Sequence, residues 1–294
     1  MSDPFDLDLA RVRRSFGRSA RDYDATAVLQ AQVRAELLER LDLVRLEPTA
    51  VLDLGAGTGH ASRALKRRYG SGQVIAVDLA EGMLREARRQ QALLRRFQRV
   101  CGQAAALPLR EASVDLVFSN LMLQWCQDPA AVFGECRRVL KAGGLLTFST
   151  FGPDTLLELR RAWAAADSHT HVSRFIDMHD LGDALVRAGF AEPVLDVERF
   201  TLTYAEVRDL MRDLKSLGAH NATAGRPRGL TGKGALARMT AAYEALRQDG
   251  RLPATYEVVY GQAWCPVSAP LRQRATGEVL VPVSRIGRRT GGRG

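Results

Sequence analysis

The sequence predicts an α/β protein: a seven-stranded, mostly parallel sheet with an antiparallel last strand and helical inserts beside it. Three observations carry that prediction. Strand-like apolar runs alternate with helical stretches from residue 51 onward. The first run, Val51-Leu52-Asp53-Leu54, enters the turn Gly55-Ala56-Gly57-Thr58-Gly59 and then a helix, and a second run ends on Asp78, nineteen residues after Gly59. Residues 255–264 alternate as a final strand should, after a long insert.

Each element has its own warrant. A helix over 61–69 follows the glycine turn, and 74–78 is the second strand of a βαβ unit. A helix begins near Glu81, and a short strand runs near 99–102. Residues 114–119 form a fourth buried strand. Asp128-Pro129 opens a helix through 131–140, because proline suits a first helical turn. Lys141-Ala142-Gly143-Gly144 reads as a turn before a fifth strand at 145–151. The helix at 180–188 stops at Gly189, where glycine suits the residue after a helix end. A strand near 193–200 follows. Outside this alternation lie an N-terminal helical region (about 8–41) and helical inserts near 153–175 and 205–248. Residues 1–268 are expected to form one domain with a lid over its ligand site, and 269–294 a disordered basic tail.

Charge and cysteine content bound the function. The net charge is +9, but the last 24 residues hold Arg272, Arg274, Arg285, Arg288, Arg289 and Arg293 against Glu278, so the body is only mildly basic. A nucleic-acid binder ordinarily presents a basic face with interleaved aromatics, so nucleic acid is not the expected partner. No basic leader and no spanning apolar run is visible, so a membrane is not expected either. Cys101, Cys126, Cys136 and Cys265 make no C-x-x-C pair and read as reduced core thiols of a cytoplasmic protein. No metal-ligand cluster stands out, and oligomeric state is not legible.

The glycine turn and Asp78 together point to a nucleoside cofactor. Glycines let main-chain N–H groups approach a ligand, and an acid at the tip of the second strand accepts from ribose hydroxyls. The spacing is G-x-G-x-G, not the G-x-G-x-x-G of dinucleotide sites, and Asp53 precedes it by two residues. An acid there repels a pyrophosphate and suits a cation with an amino group. This arrangement resembles motif I of the class I methyltransferases, which have a Rossmann-like fold and take S-adenosyl-L-methionine. The resemblance implies that Asp53 holds the ammonium end, through water or directly, that Gly55, Gly57 and Gly59 give backbone approach, and that Asp78 takes the ribose. Leu79 and Met83 would flank the adenine, Gln103 and Ala104 would meet its edge, and Asn120 would lie near the sulfonium. Gln103 departs from the acid that many relatives carry, though its carbonyl accepts the same bond.

Other segments narrow the resemblance. Phe16-Gly17-Arg18-Ser19-Ala20-Arg21-Asp22-Tyr23, Ser119-Asn120-Leu121-Met122-Leu123-Gln124-Trp125 and Leu214-Lys215-Ser216-Leu217-Gly218-Ala219-His220 resemble the BioC family, the malonyl-[acyl-carrier protein] O-methyltransferases of biotin synthesis. So does the run Gly225-Arg226-Pro227-Arg228-Gly229-Leu230-Thr231. The resemblance implies methyl transfer to the free carboxylate of a malonyl thioester, carried by acyl-carrier protein or coenzyme A. Such a carboxylate is already ionised at neutral pH, so no general base is needed. Arg174 and Tyr23 are the candidates to fix it, an arginine fork being matched to a carboxylate. Gln124, Trp125, Lys215 and His220 are candidate substrate contacts, and Arg226 and Arg228 a basic rim for an acidic carrier protein. Two alternatives stay open. Phe151-Gly152-Pro153-Asp154-Thr155-Leu156, Asp180-Leu181-Gly182 and Pro253-Ala254-Thr255-Tyr256 also resemble a mitochondrial respiratory-complex assembly factor associated with protein-arginine hydroxylation. The arginine excess alone would suit an RNA methyltransferase or RNA-binding module.

Overall fold

The computed structural model describes residues 7–217 and 232–267. His220, the 225–231 run and the 269–294 tail lie outside the described residues. Three helices come first: α1 (Leu9–Ser19), α2 (Tyr23–Thr26) and α3 (Val28–Arg40). The Asp8 carboxylate caps α1 by accepting from Arg11 N at 2.9 Å. Leu29, Val33 and Leu37 recur every four residues and bury one stripe of α3.

The alternating core follows as β1 (Ala50–Leu54), α4 (His60–Arg68), β2 (Gln73–Asp78), α5 (Glu81–Arg89), β3 (Gln98–Cys101), β4 (Val114–Asn120), α6 (Pro129–Val139) and β5 (Leu140–Phe151). Beyond it come α7 (Leu157–Ala164), α8 (Met178–Arg187), β6 (Ala191–Tyr204), α9 (Val207–Ser216), α10 (Lys233–Glu244) and β7 (Leu252–Trp264). The seven strands form one sheet in the order β3-β2-β1-β4-β5-β7-β6, with β7 antiparallel to both neighbours. Strand order reverses between β1 and β4. In open α/β sheets a ligand crevice opens at such a point, beyond the carboxyl ends of the strands. One apolar core, with Val33, Leu65 and Tyr243, packs α3, α4, α7 and α10 on one face of the sheet. The other, with Phe133, Val139 and Leu185, packs α6 and α8 on the opposite face.

Three expectations are corrected. Residues 141–144 are a bulge inside β5, not a turn before it. From Val114 to Leu116 of β4, the partner strand advances from Leu140 to Leu145, so surplus residues loop out. Gly143, at φ +76°, donates its N–H to Cys265 O at 2.8 Å and keeps the bulge in the sheet. Second, β6 and β7 are longer than the 193–200 and 255–264 expected, pairing from Ala191↔Trp264 to Tyr204↔Leu252. β6 is an edge strand whose exposed positions mix Glu192, Asp196, Arg199, Thr201 and Thr203 with Val194 and Val197, so no apolar run marks its ends. Third, the insert expected to be helical over 153–175 has one helix, α7, and irregular backbone after it. The cysteine expectation also changes: all four are free, but only Cys136 and Cys265 are buried, and Cys101 is exposed.

Candidate active site

A cavity of about 230 Å³ opens beyond the ends of β1, β2 and β4. Its floor is the glycine turn. Gly55 N and Ala56 N both donate to Val77 O, at 2.8 and 3.0 Å, which pins the turn to β2. Gly55 has φ +76°, and a Cβ there would sit 2.3 Å from Met122 Cγ, so no side chain fits. The Asp78 carboxylate accepts from Gly57 N at 2.9 Å and from Ala80 N at 2.7 Å. Burial raises its proton affinity, and these two N–H groups oppose the rise. The acid is thus oriented between the turn and α5 before any ligand arrives.

Of the residues expected to bind cofactor, Gly55, Gly57, Asp78, Leu79, Met83, Gln103, Ala104 and Asn120 line this cavity. Tyr23, Gln124 and Trp125, expected on the acceptor side, line it too. Asn120 ties its walls together: Nδ2 donates to Gln30 O at 3.2 Å, and Oδ1 accepts from Ser149 Oγ at 3.0 Å. Phe16 sits edge-on to both Trp125 (5.1 Å between centroids) and Tyr23 (6.3 Å), joining the N-terminal helices to the end of β4. Burial, then the charge of Asp78, raises the proton affinity of Tyr23, so its hydroxyl is a donor at neutral pH.

Four expected residues stand elsewhere. Asp53 is buried beneath the turn, accepts from Ser62 Oγ of α4, and does not line the cavity. Burial pushes its carboxyl up to about 7, and the like charge of Asp78 adds to the rise. Gly59 does not line the cavity either. At φ +79° a Cβ there would lie 2.9 Å from both Ala87 Cβ and Phe97 Cζ, so its role is close packing of α4 against α5. Arg174 lines a second cavity of about 170 Å³, which shares Gln124, Cys126, Gln127 and Phe151 with the first. Lys215 is exposed on α9, and Leu217 lines the main cavity in its place.

Asp24 is a residue that sequence reasoning missed. Its carboxylate accepts from Thr58 Oγ1 at 2.6 Å and Gln90 Nε2 at 2.9 Å, and pairs with His60 Nε2 at 3.1 Å. It clasps the N-terminal helices to the glycine turn, to the start of α4 and to the end of α5. No local pattern signals this, because every partner is more than 30 residues away. No group of three or more His, Cys, Asp or Glu able to hold a metal occurs among the described residues.

The "Methyltransferase domain" family matches residues 52–148, which span β1 to β5. A malonyl-[acyl-carrier protein] O-methyltransferase of Methylovorus sp. (strain MP688) is 59% identical, with 90% of this chain and 92% of the relative covered. The chain belongs to the malonyl-[acyl-carrier protein] O-methyltransferase family. A second member, from Laribacter hongkongensis, is 55% identical over 96% of this chain and 97% of its own. A solved structure of a putative methyltransferase from Bacillus halodurans superposes with a TM-score of 0.57 at 20% identity, covering 79% of this chain and 98% of that one. That likeness supports the fold. S-adenosylmethionine is the methyl donor of the class, and the cavity fits it chemically. Asp78 offers an acid already oriented at the cavity, Leu79, Met83 and Ala104 add apolar lining, and the glycine turn leaves room for close approach.

Proposed function

We propose that this protein transfers the methyl group of S-adenosylmethionine to the free carboxylate of a malonyl thioester, carried by acyl-carrier protein or by coenzyme A. The observation that carries this reading is identity of 50–59% to carrier-protein methyltransferases over at least 88% of the chain, lid helices included. Those names favour it over the assembly-factor and RNA-methyltransferase readings. When bound, the cofactor supplies a methyl group on a positively charged sulfur. The protein's own task is to hold an anion beside that charge and keep water out. Phe16, Trp125 and Phe151 give the main cavity apolar walls, which favour a transfer that neutralises charge.

Arg174 is assigned to the malonyl carboxylate, reaching it from the second cavity, and Tyr23 to a supporting hydroxyl contact. Gln124 stands where the two cavities share a wall, held by Leu121 O at 2.6 Å and Thr150 Oγ1 at 3.2 Å. No helix among the described residues is long and apolar enough to cross a membrane, and four free thiols suit the cytoplasmic setting we assign. The test is a methyl-transfer assay on malonyl-acyl-carrier protein and malonyl-CoA, with succinyl and acetyl thioesters as controls. Arg174→Ala should lose malonyl turnover and keep cofactor affinity. Equal transfer to acetyl thioesters, or full turnover by Arg174→Ala, would overturn the assignment.

A further inference from the structure

Gln30 holds a polar atom that the fold leaves without a use. It occupies the third position of α3, where glutamine commonly reaches back to the main-chain N–H at the helix start. Here that N–H, of Ala27, already donates to Tyr23 O at 2.9 Å. Gln30 is among the residues that line the main cavity, and its Oε1 is buried with no hydrogen-bond partner among the described residues. Its main chain is fixed, because Gln30 O accepts from Asn120 Nδ2 at the end of β4. A buried carbonyl without a donor is costly, so such groups are rare unless a ligand completes them.

The chemistry of that atom calls for a hydrogen-bond donor. An amide oxygen accepts and cannot donate. The acceptor substrate presents a carboxylate, which at neutral pH offers only further acceptors, so it gains nothing at this position. The methyl donor carries an α-ammonium with three N–H groups. Asp53, the acid expected to meet that ammonium, is turned under α4 and bound to Ser62. We propose that Gln30 Oε1 accepts a hydrogen bond from the α-ammonium of S-adenosylmethionine, taking the place that sequence assigned to Asp53. A neutral acceptor recognises the ammonium without adding a negative charge where the malonyl carboxylate must approach. This inference rests on the cofactor reading of the main cavity.

Calorimetric binding of two ligands to the intact protein tests it. S-adenosylhomocysteine keeps the amino-acid end, and 5′-methylthioadenosine lacks it. Gln30→Met, similar in length but without the amide, should weaken S-adenosylhomocysteine about tenfold or more, the scale of a hydrogen bond to a charged group. It should change methylthioadenosine by less than about twofold, which also reports that the variant is folded. Gln30→Glu should retain S-adenosylhomocysteine binding and raise KM for the malonyl thioester. Equal weakening of both ligands overturns the proposal and leaves Gln30 a packing residue. Unchanged S-adenosylhomocysteine binding in Gln30→Met overturns it too. A wild-type protein that binds neither ligand removes the cofactor reading itself, a failure distinct from these.

Discussion

Replacing Asp53 by Asn should alter how stability depends on pH far more than it alters stability in acid. The residue is 1% exposed, and burial is the main reason its proton is held up to about 7 instead of 3.8. An acid that binds its proton more tightly in the fold than in the unfolded chain favours folding while protonated. Below about pH 4 both states are protonated and Asp53 exacts no penalty. Between about pH 4 and 7 only the unfolded chain ionises, so the folded state loses ground, and above about pH 7 the penalty is constant. A difference of about three units, at roughly 1.4 kcal/mol each, puts the full penalty on the order of 4 kcal/mol. Asparagine has the same shape, cannot ionise, and offers an oxygen to Ser62. The variant should therefore match wild type within about 1 kcal/mol near pH 4 and exceed it by up to about 4 kcal/mol near pH 8. Urea denaturation of both proteins across that range measures the difference, in which groups that titrate alike in both cancel. A difference that stays flat with pH would mean that Asp53 ionises as readily inside the fold as outside it, and the burial argument would fail.

Four further perturbations separate roles that look alike in sequence. Gly59→Ala should cost about 2–4 kcal/mol in denaturation, from a strained φ and crowding against Ala87 and Phe97, and leave cofactor affinity within about threefold. Gly55→Ala, which displaces Met122 at the cavity floor, should lose cofactor affinity instead. Asp24→Ala should speed amide hydrogen exchange across α1 and α2 and weaken cofactor binding about tenfold, since the N-terminal helices lose their clasp. Glu158→Leu removes the partner of Thr255 N (3.0 Å) and Thr255 Oγ1 (2.5 Å) and should cost about 1–3 kcal/mol in urea, with turnover per folded molecule preserved.

The sheet, its antiparallel last strand and the place of Asp78 at the tip of the second strand were legible because each rests on a local pattern. The glycine turn between two apolar runs, and Asp78 at the end of the second, need no distant partner to be read. Asp53 lies off the cavity, and its direction is written in β1. Val51 packs in the core beneath α3 and α4, and Leu52 and Leu54 in the opposite one. A strand alternates, so Asp53 shares the face of Val51 and meets α4, not the cavity. Lys215 yields to the same kind of argument. Val207, Leu210, Leu214 and Leu217 make a helical stripe, which puts Leu217 inward and Lys215 out. By contrast Asp24, the unused Gln30 carbonyl and the separate cavity of Arg174 depend on contacts between distant segments. Those follow only once the sheet has brought α2, α3 and the irregular stretch after α7 to the same edge.

The wall shared by the two cavities also guides the choice of an inhibitor. A molecule with an adenosine end for the main cavity and a carboxylate end for the proposed Arg174 contact would run along the residues both cavities share, Gln124, Cys126, Gln127 and Phe151. Cys126 invites an electrophilic warhead on that linker, but burial pushes its thiol up to about 12, so the nucleophilic thiolate is scarce at neutral pH. Affinity there is better sought from a rigid, reversible connector that spans both chambers, because pre-organising the two ends lowers the entropy lost on binding.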